Sequence, residues 1–154
     1  MLKLDKHQKY ALRIKDRNYR VVSSDSKKNF TEFAAKRGAK LYVVSRKSSL
    51  IYVGITTRSM SSRLRGGMKA SGKNGYYGYS WRKKGGGFRL DIWGLIGCPR
   101  RKASLHLETI EAETVLLYRS KSGQWPSGQT EIHFHKSSEF HRSCARRIVT
   151  SIMH

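Results

Sequence analysis

Two tyrosines stand ten positions apart, Tyr42 in LYVV and Tyr52 in IYVG, each inside a run that otherwise reads as buried strand. Eleven residues beyond the second lies Arg63, in SSRLRGG, and further on Glu113 interrupts the apolar pattern of IEAETVLL. Phenols, a guanidinium and a carboxylate together suit phosphate chemistry. A guanidinium offers phosphate oxygens a planar, permanently charged fork. A phenol can orient a water or relay its proton, and one carboxylate with phosphate oxygens and waters is a normal way to hold Mg²⁺. Each residue also has a plainer reading. Tyrosine is a favoured strand residue, and arginine is most often solvated surface. A carboxylate inside an apolar stripe needs a partner, which Arg63 would supply as well as a divalent cation.

To bring these groups together the chain must build a hairpin, with Leu41 to Val44 and Leu50 to Ile55 flanking a turn made from RKSS. Pairing Tyr42 directly with Tyr52, over Ser45 to Ser49, sends both phenols to one face with Gly54 leaving open space beside them. The same register gathers Val43, Ile51 and Val53 on the core side, and a slip of one residue would separate the phenols. From Tyr52 to Arg63 the chain can leave the strand and complete about one helical turn within SMSSRLRGGMKASG. Arg63 and Arg65 cannot both face the hairpin. The strongest helix signal is SLHLETIEAETVLLYRSKSG, with Ser104 as cap, Leu107, Ile110, Thr114 and Leu117 on the helical period, and Gly123 as its stop. Phe88 to Gly97 alternates as a strand with Phe88, Leu90 and Ile92 on one face. NFTEFAAK before Gly38 predicts a short helix. WPSGQTEIHFHK predicts a turn and a short strand, and SSEFHRSCARRIVTSIMH a basic C-terminal helix. The first 28 residues, with a short apolar alternation at Tyr19 to Val22, stay open between strand, helix and an arm lying on DNA.

A length of 154 residues suits one domain, and 32 Lys plus Arg against 10 Asp plus Glu leave a net charge of +22. Such a charge repels itself and asks for a polyanionic partner, nucleic acid first and an acidic membrane surface second. Because the cations are interleaved with Gly, Ser and Tyr instead of forming one amphipathic helix, nucleic acid is favoured. Arg58, Arg65, Lys69, Lys73, Arg82, Lys83 and Lys84 are the expected phosphate contacts, which give affinity with little sequence information. Tyr76, Tyr77, Tyr79 and Trp81 suit stacking on exposed bases, although Trp81 serves a core equally well. Cys98 and Cys144 make neither a zinc site nor a disulfide framework. A charged N-terminus and the lack of any apolar run near ~18 residues predict a soluble, cytoplasmic protein with no membrane partner.

The order LYVV, IYVG, RLR and a later helical glutamate resembles the GIY-YIG nuclease family, named for its two short strand motifs. The first motif is Leu41-Tyr42-Val43, without the usual leading Gly, and the second is Tyr52-Val53-Gly54. Arg63 sits one residue beyond the commonest spacing, and Glu113 stands for the metal-binding glutamate. The resemblance covers Ala39 to Ser122, and its specificity lies in the ordered set, not in any single motif. It implies an α+β fold, a small antiparallel sheet flanked by helices, with the nuclease core at 39–122. A basic N-terminal extension with a short helix at 1–38 and a C-terminal strand and basic helix at 123–154 would complete one domain. It further implies a metal-dependent endonuclease that hydrolyses DNA, with RNA left open, using Mg²⁺ or Mn²⁺. Tyr42, Tyr52, Arg63 and Glu113 would be catalytic, Glu113 holding the metal, and a homodimer would serve double-strand cleavage. Two departures stand out. Gly67 lies where many members carry His or Tyr one turn after the Arg, and the downstream Asn gives way to a region offering Gln129, Glu131, His133 and His135 as accessory groups. His133 and His135 share a strand face and read as metal ligands, DNA contacts or polar surface. A non-catalytic nucleic-acid-binding protein on the same fold and a nuclease toxin are the alternatives.

Overall fold

From Tyr10 every second residue is apolar, through Leu12 to Ile14, and the computed structural model, which describes all 154 residues, places that alternation in the second half of a long first strand. This is β1 (Lys3–Lys15), with Tyr10, Leu12 and Ile14 buried and Lys9, Ala11, Arg13 and Lys15 exposed. A turn through Asp16, at φ 57°, returns the chain as β2 (Asn18–Ser23). The remaining elements are α1 (Glu32–Ala35), β3 (Lys40–Arg46), β4 (Ser49–Thr56), α2 (Met60–Lys69), β5 (Gly86–Ile96), α3 (Arg100–Ser122) and α4 (Glu139–Met153). The five strands form one sheet in the order β2-β1-β5-β3-β4, every pairing antiparallel. The class is therefore α+β, as the sequence leads one to expect. The basic N-terminal segment is not an extension, however: β1 lies inside the sheet, paired with β5 along ten residue positions.

The sheet is covered on both faces, so both alternating sets of side chains are apolar over its central strands. On one face Tyr42, Val44, Ile51, Leu90 and Ile92 pack with Met60, Leu64 and Met68 of α2. On the other, Leu41, Val43, Leu50, Val53 and Trp93 meet Leu107, Ile110 and Val115 of α3 and Ile148 and Val149 of α4. The tyrosine face is thus interior, not the open surface expected from the hairpin alone.

The β3–β4 register also differs from direct pairing of the two tyrosines. Lys47 and Ser48 form a two-residue turn, both with positive φ (48° and 66°), which sets Arg46 opposite Ser49. Continued without interruption, that register would place Tyr42 and Tyr52 on opposite faces. A bulge between Val44 and Ser45 shifts it, so that Tyr42 pairs with Gly54 and Tyr52 with Val44. Both phenols then share a face, and Ile51 joins them there instead of the Val43 and Val53 side.

Two further elements differ from expectation. Helix α3 begins after Pro99, four residues ahead of Ser104, and ends as anticipated at Gly123, at φ 80°. No strand forms at 130–135, because a side chain does the pairing: Val53 N–H donates to Gln129 Oε1 (2.9 Å) and Gln129 Nε2 donates to Val53 O (3.0 Å). With Gly128 N–H on Ile51 O (2.8 Å), the segment closes the free edge of β4. Lys40 anchors the hairpin base. Its fully buried ammonium donates to the carbonyls of Lys36 (2.8 Å), Gly38 (2.7 Å) and Arg58 (2.7 Å). Burial pushes its pKa down to about 8.

Candidate functional site

The first turn of α2 is fixed by Ser59, whose hydroxyl accepts from Ser62 N–H. One turn later Arg63 leans over the tyrosine face. Its guanidinium carbon lies 4.7 Å from the Tyr79 ring centre, 5.9 Å from Tyr76 and 6.0 Å from Tyr42, and Nη1 donates to the Tyr76 hydroxyl at 2.7 Å. Arg65, on the other flank of α2, stays exposed. Burial works against the Arg63 charge, but the surrounding phenols of Tyr42, Tyr79 and Tyr76 favour it, so the group is held firmly cationic.

Beneath Arg63 the phenols form a packed cluster. The Tyr42 and Tyr52 rings are 5.8 Å apart, Tyr52 and Tyr79 are 5.5 Å apart, and the hydroxyls of Tyr42 and Tyr79 are hydrogen-bonded at 2.8 Å. Gly54 is obligatory there, since a Cβ would stand 2.7 Å from both Tyr42 and Tyr52. Gly67 has a comparable role on α2. A Cβ at that position would come within 2.1 Å of the Tyr79 ring, and Gly67 O accepts from Tyr79 N–H (3.1 Å). A phenol therefore does stand one turn beyond Arg63, contributed by the loop after α2 instead of by the helix. Sequence reasoning assigned Tyr79 only to base stacking; a glycine inside a helix, one turn after Arg63, was the available signal.

Burial is the first cause that raises the pKa of Tyr42, Tyr52 and Tyr79 above the ordinary phenol value. At neutral pH all three hydroxyls keep their protons and act as donors. Tyr42 is wholly buried behind Tyr79, whereas Tyr52 and Tyr79 line the pocket opened by Arg63.

The carboxylate in that pocket belongs to Glu111, not to Glu113. The two lie about 200° apart around a helix. Glu111 faces β4 and shares the pocket lining with Tyr52, Arg63 and Tyr79, while Glu113 lies toward α4, where its charge acts on His141. Glu113, expected from the sequence to join Tyr42, Tyr52 and Arg63, thus lies outside the pocket that Tyr52 and Arg63 line. The pointer in the sequence was the i, i+3 pair Glu108 and Glu111, a like-charge pair on one helix face that is unfavourable without a counter-charge. Burial first, then Glu108 and Glu131, push the Glu111 carboxyl up to about 8. In a protein with 32 cationic side chains, three of the ten carboxylates converge here.

Gln129 joins the edge of β4 to this carboxylate, its Nε2 reaching Glu111 Oε1 at 3.5 Å. His133 lines the pocket and pairs with Glu131 (3.3 Å), while His135 pairs with Glu108 (2.6 Å). The two imidazoles thus take separate partners and do not form a joint metal site. No group of three or more His, Cys, Asp or Glu side chains is arranged to hold an ion by protein ligands alone. What the donor set does fit is an oxygen-loving divalent cation that takes one buried carboxylate and draws its other ligands from water and phosphate.

Of the expected phosphate contacts, Arg58 is exposed in the hollow it shares with Arg63 and Tyr76. Arg65 and Lys69 project from α2, and Lys73, Lys83 and Lys84 are exposed on the loop between α2 and β5. Arg82 is half-buried. Among the aromatics of that loop, Tyr76 and Tyr77 are 45% and 72% exposed, Tyr76 being tied to Arg63 through its hydroxyl. Tyr79 and Trp81 are buried and serve the core. No helix is long and apolar enough to cross a membrane. Comparison with protein-family models, with curated proteins and with solved structures returned no match.

Proposed function

We propose that the protein is a metal-dependent endonuclease that hydrolyses phosphodiester bonds of DNA in the pocket between α2, β4 and α3. The observation that supports this most is the meeting of opposite requirements in one place. A firmly cationic Arg63 suits a phosphate, and a buried Glu111 backed by two further carboxylates suits a divalent cation.

Arg63 would bind non-bridging oxygens and stabilise the charge that grows on them. Tyr52 and Tyr79, protonated, would donate hydrogen bonds to phosphate or orient the attacking water, with Tyr42 holding Tyr79 in position through the hydroxyl pair. They do not serve as bases, which replaces the proton-relay role that the sequence suggests for Tyr42 or Tyr52. His133, the one imidazole in the lining, is the side chain there suited to accept a proton from water. Glu111 would hold Mg²⁺ or Mn²⁺, with Gln129 steadying the carboxylate. Such an ion, when bound, supplies charge neutralisation to the phosphate and to the departing oxygen.

The test is cleavage of supercoiled plasmid with Mg²⁺ and with EDTA. Wild type and Glu113→Gln should cut in Mg²⁺, and Glu111→Gln and Arg63→Ala should lose at least about a hundredfold in rate. If wild type binds DNA but never cuts it, the reading gives way to a non-catalytic nucleic-acid-binding protein. If Glu113→Gln is the variant that fails, the assignment of Glu111 is wrong.

A further inference from the structure

Helices α3 and α4 leave one part of their sheet face uncovered. On β1 the exposed positions are Lys9, Ala11, Arg13 and Lys15, and on β2 they are Asn18, Arg20 and Val22. Arg13 stands directly opposite Arg20 in the β1–β2 ladder. Like charges so placed are unfavourable, and neither guanidinium has an ion-pair or hydrogen-bond partner among the interactions of the molecule. Lys47, in the β3–β4 turn, Arg46 and Arg89 border the same groove, which has no carboxylate in its lining. Arg46 closes the end of the groove but is already engaged: its guanidinium lies 3.9 Å from the ring of Phe88, a residue of the α2-side core, and donates to the carbonyls of Gly87 (3.0 Å) and Gly85. The nearest buried carboxylate, Asp91, is already engaged by His7 (2.6 Å) and Arg89 (3.0 Å). Between the cations the floor is small and flat, made by Ala11, Val22 and Gly87.

We propose that this bare sheet face is a second docking surface for the phosphate backbone of duplex DNA, separate from the pocket. Strands β5 and β3 lie between β1 and β4, so the two sites are separated by about 14 Å of sheet. Facing arginines without counter-ions supply what a polyphosphate backbone completes. A floor whose largest exposed apolar side chain is Val22, with no aromatic or leucine protruding, gives a bilayer little to insert. The surface would hold one stretch of DNA whether or not the pocket is engaged, so the inference does not depend on the hydrolytic reading.

The test is binding of a labelled duplex of about 30 base pairs, in EDTA, across a salt series. Phosphatidylserine vesicles form a second arm. Replacing Arg13 and Arg20 together by Gln should weaken duplex binding about tenfold and reduce the salt slope by about two, one unit per lost phosphate contact. The melting temperature should stay level or rise, because the facing charges are gone. The double Lys variant, which keeps both charges, should retain the slope and guards against a fold defect. Unchanged duplex affinity and slope in the Gln variant overturn the proposal. So does loss of vesicle binding with duplex binding intact, which would make the face a membrane contact. Plasmid cleavage by the wild type in Mg²⁺ reads the pocket and not this face, so a failure of the cleavage reading would be recognised separately.

Discussion

Glu111 makes the stability of the metal-free protein depend on pH in a way no surface carboxylate would, and Glu111→Gln isolates the effect. In the unfolded chain this carboxyl has its ordinary value of 4.5, and in the fold it is pushed up to about 8. Below the lower value both states are protonated and Glu111 costs nothing. As the pH rises toward about 8 the unfolded state releases its proton while the folded state retains it, so stability falls. At ~1.4 kcal/mol per pH unit the full window would amount to ~5 kcal/mol. Glu111 keeps some contact with solvent, so an effective loss of ~2–3 kcal/mol is expected. Glutamine has no such transition. Urea denaturation of both proteins in EDTA, from about pH 5 to about pH 9, should show the variant drawing ahead as the pH rises, by ~5–10 °C when read as melting temperature. Adding Mg²⁺ at about pH 8 should raise the wild type toward the variant and leave the variant unmoved. A stability difference that stays constant across the range, or a variant less stable than wild type at high pH, would refute the account of Glu111 as a buried carboxyl without an ion-pair partner.

Three other substitutions probe the scaffold around the pocket. Gly67→Ala drives a methyl group into the Tyr79 ring and should lower plasmid cleavage at least about tenfold while circular dichroism shows the helix content unchanged. Lys40→Met removes the donor to three carbonyls and should cost ~3 kcal/mol in chemical denaturation, loosening the start of α2 through Arg58. Gln129→Leu should cost ~1–2 kcal/mol and speed hydrogen exchange at the Val53 amide, since it removes both side-chain hydrogen bonds that close β4.

What could be read from the sequence was mostly local. The face of Phe88, Leu90 and Ile92 follows from alternation over a few residues, and Gly123 ends α3 by its own backbone freedom. Arg63 could be placed over the tyrosine face because the connection from Tyr52 is short. Long-range partners stayed hidden. The strand at Lys3–Lys15 was ambiguous because its partner β5 lies some eighty residues away, and a basic alternating segment gains its buried face only from that pairing. The hairpin register turned on a one-residue bulge that composition does not announce. Glu113 reads as interrupting a core stripe only if Leu116 and Leu117 extend that stripe. Leu116 is in fact exposed and Leu117 only partly buried, and α3 buries two sides, one on β4 and one on α4. Tyr79 lay on a loop whose path depends on Gly67, a contact between positions that no periodicity connects.

Because the strand made first pairs with one made far later, the order of synthesis matters. When the β1–β2 hairpin leaves the ribosome, the residues that will cover its apolar side are still to be translated, and at ~5–20 residues per second β5 follows by several seconds. During that interval the nascent chain exposes Tyr10, Leu12 and Ile14 among lysines and arginines, close to ribosomal RNA. α3, which carries Glu111, emerges later still. Whatever the pocket does waits for α3, and a product truncated before that helix would carry the basic strands without Glu111.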